Sequence, residues 1–383
     1  MGLPLGTDVQ PFAGGFALVY IILNITEIKF SRSALLILIF SLFAIIWTMF
    51  VEASDLLMIK TSAYPYGLII YVFIHNTLNE NIIKAVKNYA VVYLTFIVFQ
   101  LMFPALYVQI FSVLLRTINV KEIGGIRGVS ALTTEPSFTA FILFTFLVIL
   151  NYSYVFTEMP KKLMYSVGLS VGMFLTKATS GIAMLFALFV YEALKKISLT
   201  RAITIMIFII MFIVSIEYFD LKQYRAFNFF IKAASSPELI LYEGSLFVRV
   251  YSLSAGFVAL WYNPFGVELG SYSFASIKTI TDAIYYGYTF PDAFITVSAS
   301  LGMPSTLGVG LLRFGVFYLI FYILMFLPIF LKTHTPIIVK ILIFSFTAQS
   351  YSFAFPILWF LIVMTEKNFW YAKNNGNKGV LEC

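Results

Sequence analysis

Along most of this chain the apolar residues form unbroken runs with no polar face. Runs punctuated by charge, Gly or Pro fall at 13–26, 33–51, 63–76, 89–115, 136–156, 163–176, 178–194, 202–219, 314–331, 337–350 and 352–365. Neither the two-residue alternation of a half-buried strand nor the one-sided stripe of a soluble helix accounts for them, whereas a helix of about 20 apolar residues crosses ~30 Å of hydrocarbon. The pattern predicts an all-α polytopic integral membrane protein with about eleven transmembrane helices, ten to twelve allowing for the short runs. The run at 89–115 is long, and Pro104 is expected to kink it. Two stretches interrupt the apolar pattern: a loop at 116–135 and a segment at 220–313, whose own apolar stretches predict a large, partly helical loop. No repeat or linker divides residues 1–373, which are read as a single membrane domain, and the polar tail 374–383 is set aside as vector-like.

Composition agrees with the pattern. The chain is 61% hydrophobic and only 11% charged over 383 residues, against about 25% charged in soluble domains, and its mean hydropathy is +0.93. A single cysteine, Cys383, excludes a disulfide framework and every multi-cysteine metal site, and two distant histidines, His75 and His334, offer no metal-binding spacing. There is no phosphate-binding glycine loop followed by Lys and Ser or Thr. No metal, no nucleotide cofactor and no nucleic-acid partner are expected.

Charge sets the orientation. Placing Lys161, Lys162, Lys195, Lys196 and Arg201 in the cytoplasm also places Lys29, Arg32, Lys84, Lys87, Lys332, Lys340, Lys367, Lys373 and Lys378 there, so 14 of the 25 Lys and Arg fall in the shorter set of loops. The amino terminus is then outside, an arrangement that leaves room for a preceding span. The loops at 116–135 and 220–313 are outside too, and no cytoplasmic piece is large enough to fold as a domain.

Five of the seven arginines (Arg116, Arg127, Arg225, Arg249 and Arg313) run against that bias and lie on the outer side. A guanidinium presents a planar fork suited to phosphate oxygens, so an outer-face anion is the natural ligand; solvated or snorkelling arginines are the plainer reading. In Gly124-Gly125-Ile126-Arg127-Gly128, followed by Ser130, Thr133, Glu135, Pro136 and Ser137, the glycines free the backbone to approach a ligand. Pro136 suits a first helical turn, and Glu135 is placed to pair with Arg127. Arg249, Tyr251 and Tyr262 belong to a stretch that reads as an amphipathic or re-entrant helix closed by Asn263-Pro264-Phe265-Gly266. The tyrosines offer rings for sugars, or form an interfacial belt. Asp292 follows Pro291 just before the apolar run 293–301, and Lys177 is expected in a short turn between two spans.

Four landmarks carry a resemblance. They are Arg127-Gly128 to Glu135-Pro136-Ser137, the Thr176 to Gly181 turn, the Arg249 helix ending Asn263-Pro264-Phe265-Gly266, and the Gly-rich Leu307 to Gly315. In this order on a polytopic chain they resemble the O-antigen and capsule repeat-unit polymerases (Wzy type), within the superfamily that includes the O-antigen ligases. The resemblance implies a metal-independent glycosyltransferase of the bacterial inner membrane. It would join repeat units carried on undecaprenyl diphosphate at the periplasmic face, with outer-loop arginines holding the diphosphate. Arg249 matches best by position and Arg127 next; Arg313, Tyr251 and Tyr262 complete the expected binding set, and Asp292 and Glu135 are the candidate proton acceptors. Ligases of the superfamily carry a histidine in the large loop where this chain has Asp292, a departure that favours polymerase. A ligase-like transferase or a lipid-linked oligosaccharide flippase is the alternative. The expected partners are the lipid-linked oligosaccharide, membrane lipid and a chain-length regulator.

The orientation is directly testable. In a Cys383→Ser background, an impermeant thiol reagent applied to intact spheroplasts should label Ser271→Cys and leave Ser198→Cys unmodified. The reverse pattern overturns the orientation and the outer-face site with it.

Overall fold

A computed structural model describes residues 12–52, 58, 61–111, 128–133, 136–194, 244–267, 305–348 and 353–370. Among them the chain forms twelve α-helices and no strand: α1 (Phe12–Leu23), α2 (Arg32–Trp47), α3 (Ala63–Thr77), α4 (Glu80–Met102), α5 (Pro104–Phe111), α6 (Pro136–Tyr152), α7 (Lys162–Leu175), α8 (Thr179–Leu194), α9 (Gly244–Tyr262), α10 (Thr306–Leu331), α11 (Ile337–Ala348) and α12 (Pro356–Glu366). Three stretches, Arg32–Val51, Glu80–Met102 and Thr306–Leu331, are long and apolar enough to cross a membrane, and shorter apolar helices accompany them. The architecture is compatible with a helical membrane protein. Phe16, Leu23, Ile39, Leu42, Phe50 and Ile320 are exposed on its outer surface, as expected where the surroundings are hydrocarbon.

Local chemistry sets the helix boundaries. Ser31, Asn79 and Ser305 each accept a backbone N–H from the first turn of α2, α4 and α10, at 3.2, 3.1 and 3.0 Å, and Pro104, Pro136 and Pro356 open α5, α6 and α12. The runs at 163–176 and 178–194 reappear as α7 and α8, with Thr176 and Lys177 in the turn between them. Two boundaries differ from expectation. The helix expected from residue 89 begins at Glu80, because its Asn79 cap and exposed Lys84 and Lys87 let a charged turn precede the apolar part. The helix expected from residue 314 begins at Thr306, since the Gly-rich stretch before it is helical where it packs on α9. The run at 202–219 lies outside the described residues.

Helices α1, α2, α3, α9, α10 and α12 pack into one group and α4, α6, α7 and α8 into another, with α11 touching α10, α12 and α6. The first group is centred on Phe40, stacked on Phe321 at 4.2 Å and edge-on to Tyr64, Phe314 and Tyr318. Phe141 of α6 meets Phe346 of α11 at 5.5 Å.

At one end of the bundle lysines close helix termini that belong to other segments. Lys162 donates to Asn151 O near the end of α6, Lys340 to Phe330 O near the end of α10, Lys332 to Thr365 O and Glu366 O at the end of α12, and Lys367 to Leu78 O after α3. Terminal carbonyls lack an intrahelical donor and carry the negative end of the helix dipole, so an ammonium satisfies both needs. Glu366 accepts from Ser33 and Tyr71 hydroxyls in the same place, tying α2 and α3 to α12. Burial pushes the Lys332 ammonium below the usual lysine range, and the Glu366 carboxylate opposes part of that shift.

Lys332→Met keeps the aliphatic stem and removes the donor from two terminal carbonyls. It should lower stability by about 1–3 kcal/mol, read as a drop in thermal midpoint in detergent. Lys84→Met, which breaks only the exposed 3.8 Å pair with Glu80, should stay within about 0.5 kcal/mol of the parent. Equal effects of the two would refute the capping role.

Candidate functional site

Opposite the lysine end, two groups of residues bring the sequence landmarks into the fold. The first surrounds Gly128–Thr133. Gln100, 2% exposed in α4, uses Oε1 to accept from Ser130 N at 3.1 Å and Ala131 N at 2.8 Å. Thr133 and Thr139 hydroxyls close on Ser130 O, and Val129 N reaches Leu175 O at 3.3 Å. A β-carbon on Gly128 would stand 2.2 Å from Thr176 O, so only glycine allows the loop to lie on the α7–α8 turn. Two landmarks far apart in sequence, the glycine loop and the Thr176 to Gly181 turn, are therefore in contact. Ala131 and Lys177 both adopt positive φ, 45° and 50°, a conformation that L-residues hold only when neighbours enforce it. At Ala131 the enforcing contact is Gln100.

The second group is built on α9 and α10. The two helices lie side by side and point the same way: Gly308 sits against Ser252 and Gly256, and Gly315 against Pro264. At these points backbone meets backbone, since a β-carbon on Gly308 would lie 2.1 Å from Ser252 O. The chain then reverses. Val316 N donates to Pro264 O at 2.7 Å and Val267 N donates to Leu312 O at 2.8 Å, so residue 267 has already climbed back past residue 264. Gly266, at φ 92°, makes the turn, and α10 is broken opposite it at Gly315, at φ 54° and ψ −131°. Gly315 comes nine residues after Thr306, which places this turn about 14 Å along α10 from its start, inside the bundle. The chain expected to close at Asn263-Pro264-Phe265-Gly266 thus does turn back there, with Phe257 and Trp261 exposed on the helix and Phe265 exposed at the turn.

Arg313 departs from expectation. It belongs to the buried part of α10 and is 3% exposed, with one nitrogen, Nη2, donating to Thr48 Oγ1 and Thr61 Oγ1 at 2.9 Å each. Its guanidinium carbon lies 4.7 Å from the centre of the Phe314 ring. Arg249 is half-buried one turn before Ser252, on the face of α9 that meets α10. Counting through the Ser252–Gly308 contact, Arg249 and Arg313 stand about 12 Å apart along the helix axes. Tyr262 is half-buried, whereas Tyr251 is fully buried and leaves no ring face for a sugar. Arg127, Glu135 and Asp292 lie outside the described residues.

Sequence reading passed over Gln100, Thr48 and Thr61. The available signal was weak but real: each is a polar residue within or bordering an apolar run, where it must find a partner inside the protein. Comparison of the chain with protein-family models, with curated proteins and with solved structures returns no match.

Gln100→Leu preserves side-chain bulk but leaves two buried N–H groups unpaired and removes the support for Ala131. A loss of about 2–4 kcal/mol is expected, with faster amide exchange confined first to residues 128–133. Unchanged exchange there would show that Gln100 does not hold the loop.

Proposed function

We propose that the chain is a membrane glycosyltransferase that polymerises oligosaccharide repeat units carried on undecaprenyl diphosphate, at the periplasmic face of the bacterial inner membrane. In this reading the shorter helices are spans as well, eleven in all, and the lysine end is cytoplasmic. The observation that carries the proposal is the separation of the two cations. Lys162, Lys332, Lys340 and Lys367 at one end are occupied in closing helix termini, while Arg249 is half-buried at the other end on the helix that closes in the α9 turn.

The chemistry follows from the charges. A hydroxyl of the acceptor sugar attacks the anomeric carbon of the donor, and the bond to the lipid diphosphate breaks as the new glycosidic bond forms. Negative charge grows on the departing diphosphate, so Arg249 and Arg127 stabilise the transition state more than the ground state. Asp292 takes the proton of the attacking hydroxyl, and Glu135, held ionised by Arg127, orients the acceptor. Undecaprenyl diphosphate is a stable leaving group, so no general acid is needed. Tyr262 is placed at the α9 turn to border a sugar. Transport without bond formation is a weaker reading, because the orientation expected from charge puts the charged residues in question on one face rather than at a midplane site.

Purified protein given lipid-linked repeat units and no nucleotide should yield a ladder of products. Arg249→Lys, which keeps charge but loses the fork, should lower kcat/KM by the equivalent of about 1.5–3 kcal/mol, and Arg249→Ala by more. In the same assay Asp292→Asn should retain binding and lose turnover. A folded Arg249→Ala protein with normal output removes Arg249 from the mechanism, and absence of any ladder from the parent refutes the polymerase reading.

A further inference from the structure

We propose that Arg313 is a positioning residue: by bridging Thr48 and Thr61 it fixes the depth and rotation at which α9 presents Arg249. The relevance to catalysis rests on the function proposed above, but the positioning itself does not.

Three features lead to this assignment. The first is that the α9 turn has no freedom relative to the α10 backbone. Gly266 lies against Arg313 O, where a β-carbon would stand 2.2 Å away, and Gly315 lies against Pro264 O at 2.1 Å by the same measure. The two hydrogen bonds that cross between them, to Leu312 O and from Val316 N, take up backbone groups near the break in α10. Wherever residues 312–316 go, the turn must follow.

The second is that the break leaves residues 312–316 in need of an outside anchor. An intact helix transmits its orientation along the axis through its own hydrogen bonds, and at Gly315 that continuity is lost. Arg313, two residues before the break, reaches across to the end of α2 and to the segment before α3. The receiving groups are themselves fully bonded: the Thr48 hydroxyl donates to Ala44 O at 2.7 Å, which leaves Thr61 to donate to Thr48 at 2.9 Å, and both oxygens accept from Arg313. Thr48 also begins a π-helical turn, Thr48–Glu52, so the anchor holds two irregular backbones together.

The third is access. A diphosphate ligand must meet the guanidinium edge, yet Arg313 is 3% exposed, with Nη2 committed to two hydroxyls and its plane beside Phe314. A cation–hydroxyl bridge in such low-dielectric surroundings is stronger than the same contact in water. Arg313 therefore acts through the backbone it holds, and lysine, which carries enough donors for both hydroxyls but no planar group to lie beside Phe314, is an incomplete substitute.

The test measures hairpin position without reference to activity. In the full chain with Cys383→Ser, Trp47→Cys at the end of α2 and Phe317→Cys just after the break in α10 place thiols at a pair whose rings lie 6.3 Å apart, so joining reports where the turn and the α10 backbone it follows sit against α2. A short bifunctional thiol reagent should join them rapidly in membranes, as scored by loss of free thiol. Arg313→Gln should slow joining by about tenfold or more, the scale of two lost charge-assisted hydrogen bonds, and Arg313→Lys by less. Thr48→Val with Thr61→Val should match Arg313→Gln although the arginine is still present, and this isosteric pair decides the matter if Arg313→Gln fails to accumulate. In the polymerisation assay the Thr48/Thr61 pair should lower kcat/KM in proportion to the loss of joining. Unaltered joining in Arg313→Gln overturns the proposal, whether or not polymer output falls. Parallel losses in Arg313→Gln and in the threonine pair support it. If the parent makes no polymer, the polymerase reading fails while the joining rates still decide the role of Arg313.

Discussion

A backbone amide or carbonyl left unpaired in apolar surroundings costs several kcal/mol, and this constraint governs where the chain can depart from a helix. Several departures among the described residues are each met by a specific partner. At the break in α10 the partner is another piece of backbone, since Pro264 O receives Val316 N and Leu312 O receives Val267 N. At Ser130 and Ala131 it is a side chain, the single carbonyl oxygen of Gln100. At the ends of α3, α6, α10 and α12 it is an ammonium from a different segment. The irregular regions are consequently among the most tightly specified parts of the fold.

The same constraint separates lysine from arginine. A lysine carries three donors on a flexible stem and can find whatever carbonyl lies near, which suits the closing of helix ends and ties neighbouring helices together. An arginine holds its donors in a rigid plane and suits a target of fixed geometry. Arg313 bridges Thr48 and Thr61 through one nitrogen of that plane, which lies beside Phe314, and Arg249 sits about 12 Å farther toward the start of α10. Lys162, Lys332, Lys340 and Lys367 therefore have a structural role at their end of the bundle, and of the arginines among the described residues Arg313 is an internal anchor and Arg249 a half-buried cation near the other end.

Glycine ties these threads together. Gly256 and Gly308 let α9 and α10 approach until backbone touches backbone, and Gly128 does the same for its loop against Thr176. Gly266 and Gly315 add positive φ to close approach, one to make the turn and the other to receive it. In the sequence these positions read only as flexible or turn-forming. Which glycine meets which backbone depends on helices separated by tens of residues, and no local pattern records that pairing.

The all-helical character, the α7–α8 boundary and the helix closed at Asn263-Pro264 were legible from the sequence, because apolar runs, caps and turn residues act over a few neighbouring positions. The number of spans, their orientation and the chemistry proposed for Asp292, Glu135 and Arg127 remain readings of the sequence, since those three residues fall outside the described part of the fold. Tertiary structure alone decided that Arg313 is an interior anchor, that Tyr251 is buried, that Gln100 supports the glycine loop, and that the Arg249 helix turns back within the bundle. The reason is physical: hydrophobicity and helix caps are properties of a segment, whereas the burial of a guanidinium or an amide is decided by whether a distant segment brings the matching oxygen or N–H to it.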